Sequence, residues 1–230
     1  MITSNIIQRV FLVSKDNDKG TAFTIEVENV QYLISARHVF DSLENNERTE
    51  ITIFKNNEWQ TIQVVSHLLD NQEIDIIVFS LENDLSPRHP IQIGAEGVTW
   101  GQDTYFLGFP YGMFVEDNNI NNNFPFPFVK KATYSAGNNH PEEGQIAYLD
   151  GHTNKGFSGG PVVFIRQETG QLTILGVMKS YVVHEGEIEF EDINDDGEIE
   201  HDTFYYDENS GIIKVQVIQY ALDIIHRIEE

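Results

Sequence analysis

The chain has 230 residues, 40% of them hydrophobic and 22% charged, which suits one large or two small globular units. Its charge balance is unusual: 14 Lys and Arg stand against 37 Asp and Glu, a formal net charge of −23 that repels nucleic acid and anionic lipid, so neither is an expected partner. No Cys occurs, which excludes disulfides, zinc–thiolate sites and a cysteine nucleophile and leaves packing to hold the fold.

The stretch from Met1 to Val10 has no basic leader with an apolar core, and nowhere does a long apolar run form, so a cytoplasmic protein is expected. Alternation at period two predicts strands over Asn5 to Val13, Thr21 to Val27, Gln31 to Ala36, Glu50 to Phe54, Thr61 to Val65 and Ile74 to Leu81. Turn residues crowd Glu82 to Gly101. Strands are predicted again over Thr104 to Leu107, Val129 to Ser135, Gln145 to Leu149, Pro161 to Ile165 and Leu172 to Val182. Val217, Tyr220, Ala221, Ile224, Ile225 and Ile228 recur at three- and four-residue spacing and predict one terminal helix. The fold class is therefore all-β. One domain over 1–230 divides into β units at 1–95 and 101–215 and a helix at 216–230. Two segments read as loops, the Asn-rich Asp117 to Asn123 and the stretch from Glu185 to Glu208, which holds twelve acids and no Lys or Arg.

Three stretches carry chemistry when taken together. Gly20-Thr-Ala-Phe-Thr-Ile is followed by Leu33-Ile-Ser-Ala-Arg-His38, a strand pair that delivers a His just past an apolar strand. Glu73-Ile-Asp75-Ile-Ile-Val-Phe places an acid at the mouth of a strand too apolar for the surface. Gly156-Phe-Ser158-Gly-Gly-Pro161 is a glycine-rich turn around one Ser. Alone, each has a structural explanation: a packed His, a capping Asp, a turn Ser. A serine nucleophile needs all three, namely a base, a buried acid to orient the base, and backbone N–H groups aimed at the developing oxyanion.

With these motifs the chain resembles the trypsin-like (chymotrypsin-fold) serine peptidases, closest in motif to bacterial HtrA-type protease domains without a PDZ domain. Leu107-Gly-Phe-Pro-Tyr-Gly112 looks like a turn of the HtrA-type domains, and the resemblance runs from Gly20 to the last helix. It implies two packed six-stranded antiparallel β-barrels with the site between them. It also implies His38 as general base, Asp75 as its orienting acid, Ser158 as nucleophile, and the amides of Gly156 and Ser158 as the oxyanion hole. His152, six residues before Ser158, and Lys179, Ser180 and Tyr181 on the substrate strand would contact a protein or peptide substrate. Phe157 stands where digestive relatives carry an Asp that receives a freed amino terminus, so activation by leader cleavage is not expected. The 72 residues after Ser158 suffice for the second barrel and helix and leave no room for a PDZ domain.

Two other readings stay open. Gly156-x-Ser158-x-Gly160 fits the nucleophile elbow of α/β-hydrolases, but a strand rather than a helix follows the Ser and the order Ser, acid, His is reversed. A non-catalytic or partner-activated peptide-binding module on the trypsin-like fold is the stronger alternative. No cofactor is required for the expected chemistry. Asp192, Asn194, Asp196 and Glu198 match the start of a calcium loop, with Gly197 at its sharp turn, yet the twelfth position is Thr203 and no helix pattern flanks it. The competing reading is a solvated acidic hairpin. Because no pro-segment is visible, control is expected from loop ordering by a regulatory protein partner, oligomerisation or calcium.

Overall fold

A computed structural model describes residues 2–15, 18–115, 121, 123–193 and 199–229, with the side chains at 192–193 and 199–201 aside. Six antiparallel strands close into a first barrel: β1 (Val10–Lys15), β2 (Asp18–Val27), β3 (Val30–Ser35), β4 (Glu47–Lys55), β5 (Glu58–His67) and β6 (Ile77–Leu81), in the order β1-β2-β3-β6-β5-β4. The short β7 (Gln92–Ile93) crosses to a second sheet made by β8 (Asp103–Gly108), β9 (Phe128–His140), β10 (Gly144–Asp150), β11 (Pro161–Ile165), β12 (Leu172–Ile193) and β13 (Ile199–Val217). Pairing of β11 with β12 closes β11-β8-β9-β10-β13-β12 into a second ring of six. The chain ends in the helix α2 (Gln219–Glu229), preceded at the other end of the chain by one helical turn, α1 (Ser4–Ile7). Among the described residues no helix is long and apolar enough to cross a membrane.

Both faces of β1, β3, the middle of β2 and the start of β6 are buried, which explains why the sequence there runs apolar with little break, whereas β4 and β5 keep an exposed, polar face. Phe11, Val13, Leu33, Ile51, Ile77 and Phe79 fill the barrel. Their neighbours Val10, Leu12, Ile34, Ile76 and Val78 turn outward to meet Leu107, Val163 and Val177 of the second barrel and Ala221, Ile224 and Ile225 of α2. The helix therefore seals the seam between barrels. Phe106, Leu149, Phe157, Phe164, Leu175 and Ile213 fill the second barrel.

The structure corrects several sequence expectations. Asn5 to Ile7 belong to α1 rather than to a strand, and Arg9 Nε donates to Asn5 Oδ1 at 3.0 Å one turn away. The predicted strands at 50–54 and 61–65 lengthen into a hairpin whose two turn residues, Asn56 and Asn57, are left-handed at φ 55° and 60°, the chemistry of a tight hairpin turn. Val217 ends β13 instead of starting the helix. Gln92 and Ile93, inside the turn-rich linker, pair in parallel with Thr173 and Ile174 of β12. Most of the Asp117 to Asn123 segment lies outside the described residues. Of the Glu185 to Glu208 stretch, 185–193 and 199–208 are not loop but continue β12 and β13 as a paired arm, in keeping with the acidic-hairpin reading.

Candidate active site

Ala36, extended just past the end of β3, leads into a single 3-10 turn over Arg37–Phe40. Val39 and Phe40 of that turn are buried, which pins it against the barrel and leaves the His38 side chain 45% exposed at the seam. Asp75 lies two residues before β6, where the buried Ile74 and Ile76 on either side fix its backbone. The His38 backbone N–H donates to Asp75 Oδ1 at 2.9 Å, and His38 Nδ1 meets Asp75 Oδ2 at 2.7 Å. The carboxylate thus grips both the main chain and the ring, and it selects the tautomer with the proton on Nδ1 and Nε2 free to accept. Burial works to lower the His38 pKa, but the hydrogen bond and charge of Asp75, with help from Asp41, outweigh it and hold the imidazole above its ordinary 6.5; Lys179 pulls the other way.

Ser158 comes from the second barrel, on the turn before β11. Its carbonyl accepts from Thr21 N–H at 2.9 Å, and the next residue, Gly159, donates to Met178 O at 2.9 Å, so the turn is clamped between β2 and β12. Phe157 is fully buried edge-on against Phe106 at 4.9 Å, which accounts for an apolar residue directly before the Ser. The Ser158 hydroxyl donates to Lys179 O at 3.4 Å; among the described residues it has no hydrogen bond to His38. Both side chains line one cleft of ≈ 560 Å³.

The turn's peptide planes are held from behind. Tyr111 N–H donates to Lys155 O at 2.7 Å, the Thr21 hydroxyl donates to Gly156 O at 2.7 Å, and Gly160 N–H donates to Phe157 O at 2.9 Å. In a trans peptide the N–H points opposite the carbonyl, so the N–H groups of Gly156 and Ser158 face away from these anchors. Neither has an acceptor among the described residues. Gly156 is left-handed at φ +99°, and a Cβ there would sit 2.2 Å from Phe109 O, so only Gly fits.

The structure gathers Lys179, Ser180 and Tyr181 into the cleft wall with His38, Asp75 and Ser158. His152 is exposed and stands outside that wall; its neighbour Thr153 lines it, with a buried hydroxyl that has no partner among the described residues. Asn194, Asp196 and Glu198 lie outside the described residues, and Asp192 is described only through its β12 backbone. Among the described residues no group of three or more His, Asp or Glu is arranged to hold a metal ion.

Sequence reading missed four contributors. Tyr111 lies inside the Leu107–Gly112 motif, but nothing in its residue type announces a left-handed backbone. Thr21 sits in the Gly20-Thr-Ala-Phe stretch, and only the tertiary contact to Gly156 gives its hydroxyl a task. Glu143 and Gln216 come from far along the chain. Gln216 Oε1 accepts from the Asp75 N–H at 3.4 Å, while its Nε2 donates to Glu143 O at 2.9 Å and Gln145 O at 3.1 Å.

Residues 20–173 match the family model for the trypsin-like peptidase domain. No curated protein matches the sequence. The fold is similar to that of an inactive form of Rv3671c from M. tuberculosis H37Rv, with a TM-score of 0.59 and 14% identity over 98% of this chain and 89% of that one. It is similar too to the HtrA-type protease AlgW, solved with a tripeptide, with a TM-score of 0.64 and 17% identity over 99% of this chain. This chain spans 62% of AlgW's length. Deg5 gives a TM-score of 0.53 at 17% identity over 76% of this chain and 80% of that one. At such identities the likeness is one of fold.

Proposed function

The chain belongs to the trypsin-like peptidase domain family, and from that premise we propose that it is a serine endopeptidase in which Ser158, His38 and Asp75 cleave peptide bonds through an acyl-enzyme. The observation that carries this reading is the convergence, from two barrels onto one cleft, of a buried carboxylate 2.7 Å from an imidazole and a seryl hydroxyl on a glycine turn.

His38 Nε2, left free by the Asp75 contact, takes the Ser158 proton as Oγ attacks the scissile carbonyl. The hydroxyl turns from Lys179 O toward Nε2 as substrate enters; catalytic hydrogen bonds are often loose before substrate binds. The oxyanion forms against the N–H groups of Gly156 and Ser158, whose lack of other acceptors supports that role. Imidazolium then protonates the leaving amine, and Asp75 steadies the positive ring. Water, activated by His38, releases the acid product and restores Ser158. A peptide substrate would lie along β12 at Lys179, Ser180 and Tyr181.

Incubation with a proteome-derived peptide library, read by mass spectrometry, tests the proposal. New peptide termini from the wild-type chain, absent with Ser158→Ala, are the expected result. Equal cleavage by both proteins would assign the chemistry to another residue.

A further inference from the structure

Beyond the cleft, β12 and β13 leave the second barrel as a two-stranded arm, paired without break from Val183 opposite Asn209 to Ile193 opposite Ile199. Residues opposite one another share a face, and successive residues alternate between faces. One face therefore carries Gly186 with Tyr206, Ile188 with Phe204, and Phe190 with Asp202. The Tyr206 ring lies over Gly186, 2.5 Å from where a Cβ would stand, so it folds down onto the ribbon and extends the apolar surface. Ile188, Phe190 and Phe204 are 52%, 45% and 59% exposed. At the ends of this apolar stretch on β13 stand two exposed acids, Asp202 and Glu208. The opposite face carries Glu185 with Asp207, Glu187 with Tyr205, and Glu189 with Thr203, so among the described residues acids outnumber its one exposed aromatic ring.

A lone two-stranded ribbon is marginally stable in water, and contiguous large apolar side chains rimmed by charge mark a contact surface. The charge chooses the occupant. Residues 185–208 hold twelve acids and no Lys or Arg, so a second copy would bring the same excess of negative charge. A cationic segment meets the acids, and an extended one that alternates apolar and basic side chains matches the apolar face and its acidic ends together.

We propose that the arm formed by residues 183–193 and 199–209 is a docking surface for an extended, basic polypeptide segment in which apolar side chains alternate with Lys or Arg. Its apolar side chains pack on Ile188, Phe190, Phe204 and Tyr206, and its cations reach Asp202, Glu208 and the carboxylates of the other face. The same strand, β12, forms the cleft wall at Met178 to Tyr181. Ile188 lies about 23 Å of extended chain beyond Tyr181 at the usual rise per residue, so a bound segment also ties a partner close to the cleft.

The test titrates the Ser158→Ala chain, which leaves peptides uncut, with three dodecapeptides of alternating sequence: Lys–Leu, Lys–Ser and Glu–Leu. Lys–Leu is expected to bind tightest. The double variant Ile188→Ser, Phe204→Ser should weaken it about tenfold or more, roughly 1.4 kcal/mol, without changing the response to Lys–Ser. A second variant, Asp202→Asn with Glu208→Gln, should weaken Lys–Leu while leaving the apolar surface and the melting temperature intact. Equal binding of Lys–Leu by all three proteins would overturn the proposal, as would binding of Glu–Leu as tight as Lys–Leu. A dimer seen by sedimentation that the double variant dissolves would replace it with self-association.

Discussion

The Tyr111 N–H donates to the Lys155 carbonyl oxygen at 2.7 Å from a backbone held left-handed at φ 54°. A bulky residue in that region costs roughly 1–2 kcal/mol, and the hydrogen bond it makes directs the next N–H, that of Gly156, away from Tyr111 and toward the proposed oxyanion site. The proposed oxyanion site would draw on the backbone conformation at 111 rather than on the phenol, which accepts from Asn154 Nδ2 at 3.4 Å. Tyr111→Gly keeps both the N–H and the left-handed option and should retain most of the activity. Tyr111→Val, β-branched, should lose kcat toward the roughly 10²-fold cost of one oxyanion donor, with little change in KM. Steady-state kinetics on the two variants checks this; equal losses would assign the effect to the side chain.

The pH dependence follows from His38. Asp75 holds its pKa above 6.5 against the opposing effect of burial, and the base must be neutral to act, so kcat/KM should be full well above that pKa and fall as pH drops through it. Stability runs the opposite way. A His pKa raised by folding contributes stability that is fully present below the unfolded value of 6.5 and lost as pH rises through the folded one. The melting-temperature deficit of His38→Gln should therefore be larger in mildly acidic than in alkaline buffer.

An ionic cluster under the site should tune that limb. Lys179 Nζ donates to Glu73 O at 3.0 Å and stands 3.7 Å from Glu143, whose carboxylate also accepts from Lys214 Nζ at 3.0 Å. These contacts tie the segment carrying Asp75, from the first barrel, to two strands of the second. Lys179 acts to lower the His38 pKa, so Lys179→Met should move the acid limb of kcat/KM upward. Glu143→Gln leaves the Lys179 charge less compensated and should move it downward. Shifts of the same sign in both variants would show that the cluster acts through structure alone.

The α2 seam should be costly to open. Ile225 is fully buried where the helix meets both barrels. Ile225→Ala should destabilise the chain by about 2–5 kcal/mol, measured by chemical denaturation, while an exposed helix position such as His226→Ala stays within about 0.5 kcal/mol.

Much of this was legible in the sequence because it rests on local pattern. Alternation located the strands, three- and four-residue spacing located α2, and the motifs around His38, Asp75 and Ser158 named the residues that the fold brings to one cleft. What stayed hidden depends on partners distant in the chain. Arg9, buried and paired with Glu26 of β2 at 2.7 Å, also holds Asn5 one turn back, so residues whose alternation reads as strand form a helical turn. The run of acids at 185–208 reads as loop by composition, with a hairpin only as the competing reading, yet cross-strand pairing carries its described residues as a ribbon with Ile188, Phe190, Phe204 and Tyr206 on one face. Gln216 looks like any polar strand residue until its amide is found bridging Asp75 N–H to Glu143.

The excess charge with which the sequence opens also has an address. Nine of the twelve acids of 185–208 belong to the described strands of the arm; without all twelve the formal charge falls from −23 to −11.

The central claim is that Ser158 is a nucleophile activated by His38. Labelling with a fluorophosphonate, which reacts with an activated seryl oxygen, followed by peptide mapping tests it most directly. The account predicts a single adduct on Ser158, abolished in Ser158→Ala and strongly slowed in His38→Ala. An adduct at another residue, or none on Ser158 in the folded wild-type chain, would contradict it.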